Sequence, residues 1–152
     1  MGWGVVETNG SRMKLLGYGC LETKAGVPMQ HRLRALLLGI RDLITTYQPD
    51  EVAFEELFFA RNVTTALMVG AARGTAIIAA TEHTENLFEY TPMQVKQAVT
   101  GYGKADKKQV QQMVKLLLSM KELPTPDDAA DAIAVAITHA QAGMAREQFR
   151  MK

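Results

Sequence analysis

The chain has 152 residues, 47% of them hydrophobic and 22% charged, which fits one domain of ordinary size with a real core. A net charge of +1 gives the whole molecule no pull on nucleic acid or membrane, so any basic surface has to be local. The single cysteine, Cys20, excludes an internal disulfide and suits a reducing compartment. No window approaches the ~20 apolar residues of a membrane span, and MGWGVVETNG lacks the basic start and long apolar centre of a signal peptide, so the cytoplasm is the expected location.

Trp3 to Val6 reads as a strand, Asn9-Gly10 as a hairpin turn, and Leu15–Leu21 as the returning strand. Gly17-Tyr-Gly19 within it suggests a bulge or a close backbone approach. After the break at Gly26-Val-Pro28, apolar residues Leu33, Leu36, Leu37, Ile40, Ile44 and Tyr47 recur at helical spacing, and Pro49-Asp50 ends the helix. Val52-Ala-Phe54 is short and apolar without alternation, as a strand covered on both faces would be. Helix, short loop and buried strand form part of an α/β repeat. Glu55 and Glu56 stand at the carboxyl end of that strand, the edge where open α/β sheets bind ligands. Strand side chains alternate, so the two must point differently.

Leu57-Phe-Phe59-Ala-Arg61 is an unusual sequence for a water-facing loop, because two adjacent aromatics cannot enter the same core face: either one is core and the other partly covered, or one is exposed and able to stack on a base. Asn62 can cap a helix over residues 63–83. Its middle is rich in small residues, with Gly70 and Gly74 among them. Each Gly costs about 1 kcal/mol against Ala in a helix interior, so another backbone is expected to pack closely here, that of the sheet or of a second copy of the helix. Leu87–Tyr90 is a further strand. Thr91-Pro92 opens a short helix carrying Lys96, Gly101-Tyr-Gly103 is a loop, and Asp106 caps a helix with core positions Val110, Met113, Val114 and Leu117. Lys96, Lys104, Lys107, Lys108, Lys115 and Lys121 fall between residues 96 and 121, with Asp106 the only acid among them. This is the local basic patch that the net charge conceals. Lysines beside a helix start suit phosphate contact, and a solvated helix face would look the same.

The last helix, Asp127–His139, is filled by Ala, Ile and Val. Thr125-Pro126 is a start signal, with Thr able to cap and Pro suited to the first helical position. Asp128 and Asp131 are three apart and share a face, as do Asp127 and Asp131. First-turn acids suit the positive helix end, and Asp128 would complete a capping box with Thr125. That does not account for Asp131, a turn further in, where a carboxylate wants a cation. His139 lies about 12 Å further along the axis and reads as a core or helix-end residue rather than a shared ligand.

Other chemistries lack their residues. Ser11 and Ser119, the only serines, sit in no Gly-x-Ser-x-Gly elbow. There is no Walker loop, no Rossmann fingerprint and no Cys/His zinc spacing. An acid at a strand end, acids on a helix face and a lysine patch remain. Oxygen ligands suit Mg²⁺ or Mn²⁺, and two such ions about 3.5–4 Å apart can drive phosphodiester cleavage, so the combination points to a nuclease.

In these residues the sequence resembles the RuvC family of Holliday-junction resolvases. The resemblance runs through Gly17-Tyr-Gly-Cys20, Gln48-Pro-Asp50, Val52-Ala-Phe-Glu55 and Glu55-Glu-Leu-Phe58. It continues in Ala72-Arg-Gly-Thr-Ala76, Gln94-Val-Lys-Gln97, Lys107-Lys-Gln-Val110, Asp128-Ala-Ala-Asp131 and Ile137-Thr-His139. It implies an α/β, RNase H-like mixed sheet flanked by helices, as one domain over residues 1–152. Glu55, Asp128 and Asp131 take the part of catalytic, metal-binding carboxylates, with Mg²⁺ or Mn²⁺ and two ions per full site; Glu56 is the non-catalytic neighbour. Lys96 and Lys107 match the DNA-binding face, with Lys104, Lys108 and Arg61 assigned to it as well, and Phe58 matches an aromatic that stacks on bases. The helix over 63–83 matches a dimer-forming helix. The implied partners are the four-way junction, a second copy and branch-migration proteins, and no membrane.

One departure is large. The family opens with a strand ending in an Asp-x-Gly turn whose Asp is a metal ligand, whereas no Asp precedes Asp42 here. The expectation is a chain lacking that first, central strand, with one of four carboxylates gone and cleavage lost. A non-catalytic junction-binding module and an RNase H-like protein acting on another nucleic acid are the alternative readings.

Overall fold

The computed structural model describes residues 1–57 and 63–152. Its contacts divide it into two compact units. One comprises Met1–Cys20, Ala53–Glu56 and Phe88–Lys152; the other comprises Leu21–Val52 and the described part of Leu57–Leu87.

In the first unit, β1 (Gly2–Asn9) and β2 (Arg12–Cys20) form an antiparallel hairpin. Both strands run further toward the turn than the hydrophobic pattern indicates. Asn9 pairs with Arg12, and Gly10, at φ 61°, turns the chain between them; few side chains tolerate that backbone region. The expected irregularity is present one step from Gly17: Val5 faces Gly17 while Val6 faces Leu15, so the pairing shifts there. Helix α5 (Asp127–Ala142) packs on β1. The approach is close because β1 offers glycines. A Cβ on Gly4 would lie 2.8 Å from Ile133 Cγ1, and one on Gly2 would overlap the Asp128 carbonyl.

Strand β3 (Val52–Glu55) pairs with β4 (Leu87–Tyr90). The Val52 amide donates to Asn86 and the Glu56 amide to Tyr90. The constant offset makes the pair parallel, as the unalternating sequence predicts. Short helices α3 (Pro92–Thr100) and α4 (Lys107–Leu117) each begin in a full capping box, Thr91 with Gln94 and Asp106 with Gln109. Phe88, Tyr90, Val95, Val99, Val110, Val114, Ile133 and Ile137 form the core of this unit.

Two expectations are corrected here. The single mixed sheet is, among the described residues, two separate two-stranded pairs, one antiparallel and one parallel, with no ladder joining them. Thr125 does not cap α5: Pro126 is the cap residue, no side chain bonds to the helix start, and the Pro126 carbonyl instead accepts from the Ala129 and Ala130 amides. The capping box with Asp128 is therefore not formed.

The second unit packs α1 (Met29–Tyr47) against α2 (Val63–Thr81). An Arg41–Glu82 ion pair spans them, and His83 Nε2 lies 2.9 Å from the Pro49 carbonyl. Helix α2 ends at Thr81, two residues short of the expected 83. Its 19 residues make it long and apolar enough to cross a membrane by length and composition, against the expectation that no window comes close. Its apolar content does not give it a core face: only Ala76, Ala79 and Ala80 are buried, while Val63, Leu67 and Ile78 are exposed. A Cβ built on Gly70 or Gly74 would meet nothing within 4 Å beyond the helix itself, so among the described residues the sheet is not the close neighbour these glycines call for. Asn62, the expected cap, lies outside the described residues.

Candidate active site

Four charged residues from four elements of the first unit line one cavity of about 230 Å³: Glu55 at the end of β3, Lys96 on α3, Lys107 at the start of α4 and Asp131 on α5. Apolar Val95, Val110 and Ala134 line the rest of it, with Pro92. Each charge arrives there for a local reason. Alternation sends Glu55 to the cavity while Glu56, whose amide is bonded to Tyr90, is not among its lining. The Asp106 capping box fixes the first turn of α4 and so the root of Lys107. Asp131 sits one turn into α5, beside buried Ala130 and Ala134.

The electrostatics follow from this crowding. Partial burial, then repulsion from Asp131, raises the Glu55 carboxyl above its ordinary range, with Lys96 and Lys107 pulling the other way. Burial also raises Asp131; Lys107 opposes this, while Asp128 and Asp127 add repulsion. Lys107 Nζ lies 3.2 Å from Asp127 and 3.5 Å from Asp131. Partial burial works against its charge, but its bond to Asp127 and the charge of Asp131 outweigh that and hold the ammonium above the usual lysine range. Asp127 is held low by Lys107 and by a 3.0 Å bond from Gln111 Nε2.

Two of the three expected ligands, Glu55 and Asp131, thus share a wall. Asp128 is exposed on the first turn of α5, near enough to Asp131 to repel it but not part of the cavity lining. Among the described residues, no three acidic, His or Cys side chains form a group able to hold a metal ion. Like charges spread apart unless a cation lies between them, and here the Lys107 ammonium is the cation between Asp127 and Asp131. In charge and donor type the wall still fits a small hard cation, since it presents carboxylate oxygens whose mutual repulsion such an ion would relieve.

Lys104 and Lys108 are exposed outside the cavity. Phe58 and Arg61 lie outside the described residues. His139, partly buried in the last turn of α5, has its Nδ1 2.7 Å from the Tyr90 hydroxyl and its ring 4.4 Å from that of Phe88, which agrees with its reading as a core or helix-end residue. Nothing in the sequence marks Gln111 as a site residue, although its place one turn after Lys107 on α4 puts both on one face.

The family description "Crossover junction endodeoxyribonuclease RuvC" matches residues 1–139. The chain belongs to the RuvC family. A RuvC from Alkaliphilus metalliredigens is 49% identical over 152 residues, 100% of this chain and 93% of the relative. One from Brevibacillus brevis is 55% identical over 93% of this chain and 85% of the relative. Among solved structures, Thermus thermophilus RuvC aligns with TM-score 0.84 at 37% identity, over 98% of this chain and 90% of that one. T. thermophilus RuvC in complex with a Holliday junction substrate aligns with TM-score 0.89 at 36% identity, over 99% and 92%. The α/β, RNase H-like fold expected of a RuvC is therefore present. The expected lack of a first strand gains no support from these matches, several of which run the length of the chain.

Proposed function

We propose that this chain recognises four-way DNA junctions as a homodimer and that its cavity is the site of metal-dependent phosphodiester hydrolysis, in recombination and repair in the cytoplasm. The observation that carries this is the meeting of Glu55, Asp131, Lys96 and Lys107 in one cavity, in a chain similar along its length to a RuvC that was solved with a Holliday junction substrate. Residues 1–152 act in this reading as one RNase H-like domain, with branch-migration proteins as further partners.

In the proposed site Glu55 and Asp131, with Asp128 beside them, hold Mg²⁺ or Mn²⁺, two ions in a full site. Such ions supply an activated water and stabilise charge on the leaving oxygen. Lys96 lies in the same wall and offers its charge to the scissile phosphate, while exposed Lys104 and Lys108, with Arg61, hold the neighbouring backbone. Phe58 stacks on bases at the junction centre. The apolar floor of Val95, Val110 and Ala134 keeps the local dielectric low and strengthens each of these contacts.

The dimer reading rests on α2. Val63, Leu67 and Ile78 are 73%, 70% and 61% exposed, and with Gly70 and Gly74 they follow one another at steps of three or four residues. That is an apolar stripe with a flat centre, which lets a second helix approach closely.

The alternative reading is a module that binds junctions without cutting them. One assay separates the two. Labelled four-way junction is offered against duplex competitor, with and without Mg²⁺ or Mn²⁺. Junction-selective binding with metal-dependent cutting, cutting abolished and binding spared in Asp128→Asn, supports the enzyme. Selective binding with no cutting at any metal concentration supports the module. Equal affinity for duplex refutes both.

A further inference from the structure

We propose that Lys107 is a tethered counter-cation for the carboxylate wall, displaced from Asp131 when a divalent ion binds and then retained by Asp127. This rests on the reading of Glu55 and Asp131 as ligands of that ion. The Lys107 ammonium bridges Asp127 and Asp131 at 3.2 and 3.5 Å while lining the same cavity as Asp131 and Glu55. Lysine carries a compact point charge on a flexible stem. It therefore neutralises Asp131 as an ion would, and leaves without disturbing the backbone.

Asp127 makes the exchange reversible. It is exposed, it is not part of the cavity lining, and it is held in place by Gln111. Lys107 and Gln111 are one turn apart on α4, so both donors converge on Asp127 from the same helix face. With Asp131 given up to the ion, Lys107 still has a partner at the rim, beside the cavity where a phosphate would lie. Asp127 is thus a positioning residue that acts through Lys107, keeping the ammonium at the rim once an ion takes Asp131.

The test is Mn²⁺ binding by the DNA-free protein, followed by the electron paramagnetic resonance signal of free Mn²⁺. Both lysine pairs are about half exposed, so the competition is that of one partly exposed ion pair and Lys107→Met should tighten Mn²⁺ roughly two- to five-fold. Lys107→Arg, which keeps the charge, should restore wild-type affinity or weaker. Lys115→Met on the same helix makes the same change in net charge two turns away, beyond a Debye length of ~8 Å, and should shift affinity less than about 1.5-fold. Asp127→Asn should weaken Mn²⁺ in the wild type and weaken it less in the Lys107→Met background. Lys107→Gln replaces the methionine variant should that one melt early. Equal effects of the 107 and 115 substitutions, or an equal loss from Asp127→Asn in both backgrounds, overturn the proposal. Mn²⁺ binding that Asp131→Asn leaves intact would instead overturn the ligand reading beneath it.

Discussion

Gly4→Ala is the smallest change that tests how the first strand supports the site. A Cβ at this position would lie 2.8 Å from Ile133 Cγ1, 3.1 Å from Ile133 Cα and 3.2 Å from its amide nitrogen. A side-chain rotation can relieve the first contact. The other two are to the backbone of α5, so either β1 or the helix has to move. Overpacking of a close interface costs ~1–3 kcal/mol, which for a chain of this length shifts the melting temperature by roughly 2–4 °C per kcal/mol. Ile133 is wholly buried, leaving the helix little room to retreat, so a loss in the upper half of that range is expected. Asp131 lies two residues before Ile133, and the same displacement should lower Mn²⁺ affinity. The assay is thermal unfolding by circular dichroism together with Mn²⁺ titration. Adding Ile133→Ala should not rescue Gly4→Ala fully, because the contacts to Cα and nitrogen remain. A melting temperature within a degree of wild type would refute the claim that strand and helix are in rigid contact at this point.

Glu55→Gln should raise the melting temperature near pH 7. The carboxyl is raised in the folded state, chiefly by burial and then by Asp131, so the folded protein holds its proton to higher pH than the unfolded chain does. Stability from this group is present below the unfolded value and is lost as pH rises through the folded one. The gain from Glu55→Gln should therefore vanish below the ordinary glutamate value of 4.5, and a gain that persists at pH 3.5 would rule out this cause. The proposed dimer predicts that the wild type sediments as a dimer and that Leu67→Lys, on the exposed stripe of α2, sediments as a monomer with an unchanged helical circular dichroism signal; a monomeric wild type would refute it. Asp106→Ala removes the capping box under Lys107 and should cost about 1 kcal/mol, read as an earlier thermal midpoint.

What the sequence discloses and what it hides divide along the distance between interacting residues. The starts of α3 at Thr91-Pro92 and of α4 at Asp106 are written in adjacent residues, as is the hairpin in Asn9-Gly10, so these are readable, whereas the return bonds from Gln94 and Gln109 that complete the two capping boxes emerge only in the structure. The carboxyl-end position of Glu55 follows from a strand of four residues and its neighbours. The separation into two strand pairs depends on which ladders form between distant segments, and no local pattern states that. The α2 glycines show the same limit. Their spacing says that something approaches closely, while the structure shows that, among the described residues, nothing beyond the helix itself lies within 4 Å of a Cβ at either position.

The acidic cluster is the sharpest case. Spacing along a helix is enough to put Asp127, Asp128 and Asp131 near one another, but it cannot rank them. The ranking comes from a lysine twenty residues earlier. By bonding to Asp127 and Asp131, Lys107 divides three similar carboxylates into a rim anchor, an exposed neighbour and a member of the cavity wall. Glu55, from a strand more than seventy residues away, then selects Asp131 as its partner by standing in the same wall. A carboxylate's part in this wall thus depends on which groups reach it from other elements as well as on its own position on α5, and the proposed divalent ion would have to compete with Lys107 for Asp131.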